Sequence, residues 1–95
     1  MSKITNEFKA KLYNYFIKSL GAYKYKLGWM KLPVCSFCYR EHKLGINLSM
    51  YRTTCFLCNY HMNPAQSAMD VEGLDTYAEL LIFLDNGNFT EEAFS

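Results

Sequence analysis

All four cysteines of this 95-residue chain stand in two Cys-x2-Cys pairs, Cys35/Cys38 and Cys55/Cys58, with sixteen residues between the pairs. Each pair can present two thiolates from one tight turn, so two such turns together offer four sulfur ligands to one tetrahedral ion. Zinc suits this arrangement because it imposes no geometry of its own and binds thiolates readily. The spacing, with no cysteine left over, therefore predicts a Zn2+ site formed by Cys35, Cys38, Cys55 and Cys58.

Other uses of these cysteines remain open from the sequence. Iron also occupies tetrahedral thiolate sites. Two disulfides would need an oxidising compartment, and the first nine residues lack the apolar stretch of a signal peptide. A thioredoxin-like motif would explain one pair and leave the other without a role. His61 follows Cys58 at Cys-x2-His spacing and His42 follows the first pair, and we expect both histidines to lie outside the ligand set.

The length and composition predict one small domain over residues 1–95. Half of the residues are hydrophobic, no low-complexity run interrupts the chain, and no apolar stretch approaches membrane-spanning length. A chain of this size buries a modest share of its surface, so a metal ion is a plausible source of stability, worth about 10 kcal/mol or more in small domains. We expect a cytoplasmic protein, in a bacterial cell or a phage-infected host, that makes no membrane contact.

The net charge of +1 conceals an asymmetry between the two halves of the chain. Residues 1–45 carry a net charge of +7, and residues 46–95 carry −6. Such a division suggests a basic front that faces a polyanion and an acidic back. Folding could equally interleave the two halves into a neutral surface.

Apolar spacing divides the first third of the chain into a helix and a strand. Residues 3–20 repeat apolar side chains every three to five positions, and Gly21 is placed to end that helix. Its apolar arc is wide, so we expect the helix to pack on the domain or on a partner. Residues 23–32 then alternate aromatic or apolar side chains with Lys24 and Lys26, which predicts one half-buried strand with a lysine-lined outer face. Pro33 ends it.

The remainder predicts short strands followed by two helices. Ile46, Leu48 and Met50 alternate with polar residues as in a strand, and residues 51–54 turn or continue as a third strand. Asn63-Pro64 predicts a helix over residues 63–72 that stops at Gly73, and Asp75 or Thr76 begins a second helix with a capping box that ends at residues 86–87. The predicted class is α+β: a small zinc ribbon of antiparallel strands over residues 23–58, flanked by an N-terminal helix and two C-terminal helices at 63–85, with a tail at 86–95.

The ordered series of these features resembles the zinc-binding domain of bacterial and bacteriophage DNA primases. The resemblance covers roughly residues 4–85 and includes the lysine- and aromatic-rich segment 25–35, both cysteine pairs and the stretch 69–81. That last stretch is the most specific part, because a generic zinc ribbon has no reason to share it. Two departures are the cysteine at position 38, where many bacterial members have histidine, and Asn59 in place of the usual glycine, which can also adopt a left-handed conformation. A third is Leu44-Gly45-Ile46 at the strand entry.

The resemblance implies the recognition module of a primase without its catalytic part. No cluster of carboxylates suited to two catalytic magnesium ions is present. We therefore expect no enzymatic activity from this chain. In the family the module contacts single-stranded template DNA during replication, so the implied partners are single-stranded nucleic acid and a polymerase, primase catalytic subunit or helicase.

The residue types available fit that task. A single strand is held by cations along its phosphates and by aromatic rings that stack on its bases. The residues predicted to bind nucleic acid are Lys24, Lys26, Lys31, Tyr39, Arg40, Lys43, Tyr51 and Arg52. Trp29 lies on the apolar side of the predicted strand, so we expect it in the core, although it remains a candidate for stacking.

The competing hypothesis is a protein-interaction adaptor, a replication or transcription accessory factor, phage-encoded or not, that docks on a larger complex. Its supports are the wide apolar arc of the first helix, the acidic second half and the tail 88–94, in which Phe89 and Phe94 flank two glutamates. The same phenylalanines could instead fold back onto the core. A structural component of a virion or other large assembly is a third reading.

Overall fold

Three helices and five short strands make up the fold, in a computed structural model that describes residues 5–26, 28–87 and 89. In chain order they are α1 (Asn6–Leu20), β1 (Tyr23–Lys26), β2 (Trp29–Lys31), β3 (Leu44–Asn47), β4 (Arg52–Cys55), β5 (His61–Met62), α2 (Pro64–Glu72) and α3 (Tyr77–Asn86). The predicted α+β class, with one helix before the strands and two after them, is confirmed.

The strands form one antiparallel sheet in which every strand pairs with the next one along the chain, in the order β1-β2-β3-β4-β5. The register places Met30, Ile46 and Thr53 side by side in one row. The adjoining row runs from Tyr23 through Lys31 and Gly45 to Thr54 and His61. Because side chains alternate along a strand, these two rows point to opposite faces of the sheet.

One face of the sheet is covered by the helices, and the core lies between them. Met30, Leu44 and Ile46 are buried there with the apolar residues of α1, α2 and α3. The opposite face, which we call the outer face, carries the row from Tyr23 to His61. None of the described helices is long and apolar enough to span a lipid bilayer.

Helix α1 shows how local chemistry sets the ends of the first element. The Thr5 side chain accepts a hydrogen bond from the backbone N–H of Phe8, and Gly21 ends the helix in a left-handed conformation with φ of 74°. The wide apolar arc packs on the domain itself, since Leu12, Tyr15 and Phe16 are all buried. The helix ends as predicted but begins after its Thr5 cap, later than the predicted start at residue 3, a residue that lies outside the described ones.

The single strand predicted over residues 23–32 is wrong. The segment forms a hairpin of β1 and β2, with Gly28 in the turn at φ of 82°, a conformation that favours glycine. All four residues of β1 are exposed, so its aromatic side chains are not the buried half of a strand. The alternation is real, but β1 is the edge strand of the sheet, and its side chains remain exposed.

The next two strands follow the prediction in part. Of the two alternatives for residues 51–54, a turn or a third strand, the structure has the strand β4, which runs into Cys55, whereas β3 stops at Asn47, before Leu48 and Met50. The side-chain oxygen of Asn47 accepts a hydrogen bond from the backbone N–H of Met50, which turns the chain toward β4. Strand β3 is buried along its whole length, so its side chains do not alternate between core and solvent as predicted.

The C-terminal helices have the predicted ends. Asn63 caps α2, which stops at Gly73, and Thr76 and Glu79 form the capping box of α3. Leu80 and Leu84 of α3 are buried in the core, whereas Leu81 is more than one-third exposed. Phe89 is buried against Tyr15 and Phe83, so this residue folds back onto the core. Phe94 and the glutamates of the tail lie outside the described residues.

Candidate metal centre and nucleic-acid interface

The two cysteine turns repeat the same backbone arrangement. The backbone N–H of Cys35 donates to the carbonyl of Arg40, and the backbone N–H of Cys55 donates to the carbonyl of Tyr60, five residues on in each case. The fourth residue after each first cysteine, Tyr39 or Asn59, is left-handed, with φ of 61° or 62°. This shared geometry lets each turn aim both of its sulfur atoms at one point.

The four sulfur atoms meet in one cluster, all within 4.8 Å of one another. A tetrahedral ion with metal–sulfur bonds of about 2.3 Å would space them about 3.8 Å apart. The Sγ atoms of Cys38 and Cys55, one from each turn, are 3.7 Å apart, and none of the four cysteines forms a disulfide. The four predicted ligands are therefore placed together and could hold a metal ion.

The surroundings of the cysteines affect their protonation in opposite directions. Burial raises the pKa of the Cys35 thiol to about 12. Burial also acts to raise the pKa of Cys55, but hydrogen bonds from the backbone N–H groups of Cys58 and Leu57 and from neighbouring thiols outweigh it and lower that pKa to about 7. A metal ion that binds here must therefore displace protons, as thiolate ligation requires.

An aromatic stack joins the two cysteine turns to the rest of the domain. The rings of Phe37, in the first turn, and Tyr60, just after the second, are nearly parallel, with centroids 3.9 Å apart. The Tyr60 hydroxyl donates to Asp70 on α2 over 2.6 Å. These side-chain contacts hold the two cysteine turns together and tie them to α2.

Neither histidine joins the cluster. His61 lies on β5, where its Nδ1 is 3.1 Å from the hydroxyl of Thr54, and His42 contacts the hydroxyl of Tyr23. Within the part of the chain that the structure describes, no histidine or carboxylate accompanies the four sulfur atoms. The four-cysteine ligand set is therefore the one that the geometry favours.

Beside the cluster, the outer face carries three aromatic residues, of which the sequence indicates only Trp29 as a candidate for stacking. Tyr25, Trp29 and Phe56 line a depression of about 170 Å³ above Gly45, and Phe56 is 63% exposed. A Cβ at position 45 would lie only 3.1 Å from the Trp29 ring, so the absence of a side chain at Gly45 lets that ring approach the sheet. We call Tyr25, Trp29 and Phe56 the aromatic platform. Trp29 is half-buried on this face. The expectation that it lies in the core is wrong.

Two of the predicted lysines flank this platform. The Nζ of Lys31 lies 3.9 Å from the centroid of the Tyr25 ring, and the Nζ of Lys26 lies 5.3 Å from it. Both positions suit cation–π contacts. Lys24 projects from the other side of β1, toward α1.

The remaining predicted residues are dispersed. Tyr39 is 77% exposed in the first cysteine turn, and Arg40 and Lys43 are exposed nearby in sequence. Tyr51 is half-buried against the core, and burial raises its pKa to about 12. Arg52 is exposed at the start of β4 and does not line the depression.

The sequence signals for the platform are present but ambiguous. The alternation that includes Tyr25 and Trp29 indicates a buried side as readily as an exposed one. Phe56 lies between two cysteines, so its segment is already explained by the metal motif and its ring draws no attention. It contacts Trp29 only because β2, β3 and β4 are adjacent in the sheet. Gly45 is the remaining clue, since a glycine inside a strand often marks a close approach.

No protein-family model, curated protein or solved structure matches this chain. The resemblance to primase zinc-binding domains thus depends on the ordered sequence features alone. What the chain binds is accordingly inferred from the cysteine cluster, the platform and the charges around them.

Proposed function

We propose that this protein is a zinc-binding module that binds single-stranded nucleic acid on the outer face of its sheet and has no catalytic activity of its own. The aromatic platform is the observation that carries the proposal. It presents partly exposed rings from three strands or strand ends, with Lys26 and Lys31 beside them.

Stacking is the interaction that such a face offers. Exposed rings on a sheet hold unpaired bases, while nearby cations hold the phosphates, and each stacked base is worth about 1–3 kcal/mol. Bases in a duplex are already stacked on one another and cannot reach the rings. The platform therefore favours single strands over duplexes.

Zinc in this proposal has a structural role. Four thiolates complete a tetrahedral sphere and leave no position for an activated water, so the site does not suit catalysis. Phe56 stands between two of the proposed ligands, Cys55 and Cys58. The metal would therefore fix the second cysteine turn and, with it, one edge of the platform.

The biological setting that we propose follows the sequence resemblance. A primase-like zinc ribbon would contact template DNA during replication and would act beside a polymerase, a primase catalytic subunit or a helicase. Reduced cysteines fit the cytoplasm of a bacterial cell or of a phage-infected host.

The direct test removes one ring from the platform. Phe56→Ala should weaken binding of a fluorescently labelled oligothymidylate by about 1–3 kcal/mol, measured by anisotropy, because one base can no longer stack. Leu57→Ala is the matched control: Leu57 is the next residue in the same turn and is 50% exposed, but it does not line the platform. It should bind normally, and both variants should retain their zinc.

A second experiment tests the contribution of lysine charge to binding. Lys31→Gln should flatten the dependence of log K on log salt by about 0.7 for each phosphate that the protein no longer neutralises. Equal effects of Phe56→Ala and Leu57→Ala on affinity, or no binding of the wild-type protein at low salt, would contradict the proposal.

The adaptor hypothesis keeps one support in the structure. The apolar arc of α1 and the ring of Phe89 are used within the domain, so neither is available to a partner. Ile82, however, is 60% exposed on α3 beside the partly exposed Leu81. If the nucleic-acid titrations show no binding, this surface is where a protein partner should be sought.

A further inference from the structure

A second concave site lies between helix α1 and the β1–β2 hairpin. Its volume is about 590 Å³, which falls within the range of about 300–1,000 Å³ typical of small-molecule sites. Helix α1 supplies Lys9, Ala10 and Tyr13 to one wall, and the hairpin supplies Lys24 and Lys26 to the other. We call this site the lysine cavity.

The charge of the cavity has one sign. Its three lysines come from two different elements, and no acidic side chain is among the described residues that line it. The salt bridges found in the described residues join Lys11 to Glu7 and Asp85, and do not involve these three. The lysine cavity is therefore suited to an anion.

The floor of the cavity is apolar and aromatic. Met30 and Ile46 form part of the sheet side of the floor, and the rings of Tyr13 and Trp29 line its walls. A small inorganic anion would leave these surfaces without a partner. A ligand that fills the site needs an apolar or aromatic body as well as a negative group.

We propose that the lysine cavity binds a nucleoside phosphate, with the base against the aromatic and apolar walls and the phosphate among Lys9, Lys24 and Lys26. This inference rests on the proposed function only in its choice of nucleotides among the anionic aromatic compounds that the cavity could hold. The cavity and the platform also adjoin, since Trp29 and Lys26 line both.

The nucleotide could come from two sources, a free mononucleotide or one nucleotide of a strand whose neighbours lie on the platform. Both present the same base and phosphate to the cavity. The test therefore uses AMP and ATP as free ligands, and an oligothymidylate with or without a 5′-phosphate as the strand.

Calorimetric titration of the zinc-loaded protein measures binding of the free ligands. Ala10→Phe places a ring in the cavity without a change of charge, and the pair Lys9→Gln/Lys24→Gln removes two of its cations. Each should weaken binding of AMP at least about tenfold, which corresponds to ~1.4 kcal/mol. The pair Lys18→Gln/Lys43→Gln removes the same charge from residues outside both the cavity and the platform and should change AMP binding less than about twofold.

The outcomes separate this inference from the proposed function. AMP binding that Ala10→Phe abolishes and Phe56→Ala leaves intact supports the cavity even if the platform binds nothing. If AMP does not bind but Ala10→Phe weakens the oligonucleotide, the cavity holds a nucleotide of the strand, and a preference for the 5′-phosphate identifies the terminal one.

Three results would overturn the inference. One is that the Ala10→Phe variant, folded as judged by circular dichroism and zinc content, binds AMP, ATP and the oligonucleotide as tightly as the wild-type protein does. Another is that both lysine pairs weaken AMP equally, which indicates general attraction by charge. The third is that inorganic phosphate binds to the cavity as tightly as AMP does, because the aromatic walls then contribute nothing to the affinity.

Discussion

Backbone strain is concentrated beside the cysteines. Among the described residues, Tyr39, His42, Tyr51 and Asn59 have positive φ without being glycine, and each lies within four residues of a cysteine. Asparagine tolerates that conformation, but for a residue such as tyrosine it costs roughly 1–2 kcal/mol. The cysteine turns therefore need a source of free energy that holds them in place, and a bound metal would supply it.

The ligand set can be tested one residue at a time. Cys58→Ser should abolish stoichiometric zinc binding and unfold the domain, because the remaining three thiolates must hold strained turns. His61→Ala is the matched variant: His61 follows Cys58 by three residues but contacts Thr54 instead of the sulfur atoms. It should retain about one zinc per chain, measured by elemental analysis of reduced protein together with circular dichroism.

Two results would count against this assignment. Loss of metal from His61→Ala would mean that the histidine is a ligand. Reduced, folded wild-type protein that contains no metal would show that the cluster is stable as free thiols. Detection of iron in place of zinc would keep the ligands and change the ion.

The helices are the elements that the sequence predicts best. Their ends depend on local chemistry: Asn63 and Thr76 accept hydrogen bonds from backbone N–H groups three residues on, and Gly21 and Gly73 take left-handed conformations. Each of these interactions joins residues within one helical turn, so the local sequence is enough to predict it. Both ends of α2 and α3 and the end of α1 accordingly lie close to their predicted positions.

The strands are harder to predict because their faces depend on distant residues. The alternation over residues 23–32 predicts one half-buried strand, although Gly28 offers a turn. Whether an alternating side is buried depends on which layer covers it, and all four residues of β1 are exposed. Leu81 shows that burial is also hard to predict in a helix. It is apolar, and yet it is more than one-third exposed.

Capping can be measured in α3. Thr76→Ala removes the acceptor for the backbone N–H of Glu79 and breaks the capping box, so it should lower the free energy of unfolding by about 0.5–2 kcal/mol. Asp75→Ala is the control, because Asp75 contributes its backbone N–H to Glu79, and this remains after the substitution. The measurement is urea denaturation of the zinc-loaded protein. A larger loss in Asp75→Ala would assign the cap to Asp75.

Among the described residues, an ion pair joins the basic first half of the chain to the acidic second half. The Nζ of Lys11 on α1 lies 2.6 Å from the Asp85 carboxylate on α3, and this contact raises the pKa of the lysine. Lys24, Lys26 and Lys31 remain together on the hairpin, away from the C-terminal helices in sequence. These lysines lie on both faces of the hairpin, with Lys24 toward α1 and with Lys26 and Lys31 beside the platform. The platform and the lysine cavity depend on contacts between distant segments.

The site is predictable to the extent that its parts are close in sequence. Four cysteines in two short motifs identify their own cluster, whatever the rest of the chain does. Phe56 and Trp29 are far apart in sequence, and their ring centroids come within 6.4 Å only through the pairing of three strands. No spacing rule connects such residues, which is why the sequence does not predict the platform.

The order of the strands also bears on how quickly the chain reaches its native state. Each strand pairs with its sequence neighbour, so the sheet can grow by one hairpin after another without closing a long loop. Proteins whose contacts are local fold in microseconds to milliseconds, whereas those that need distant pairings take milliseconds to seconds. We expect stopped-flow refolding with zinc present, followed through the fluorescence of Trp29, to have a main phase of milliseconds. A main phase of seconds at every zinc concentration would show that assembly is limited by something other than the sheet.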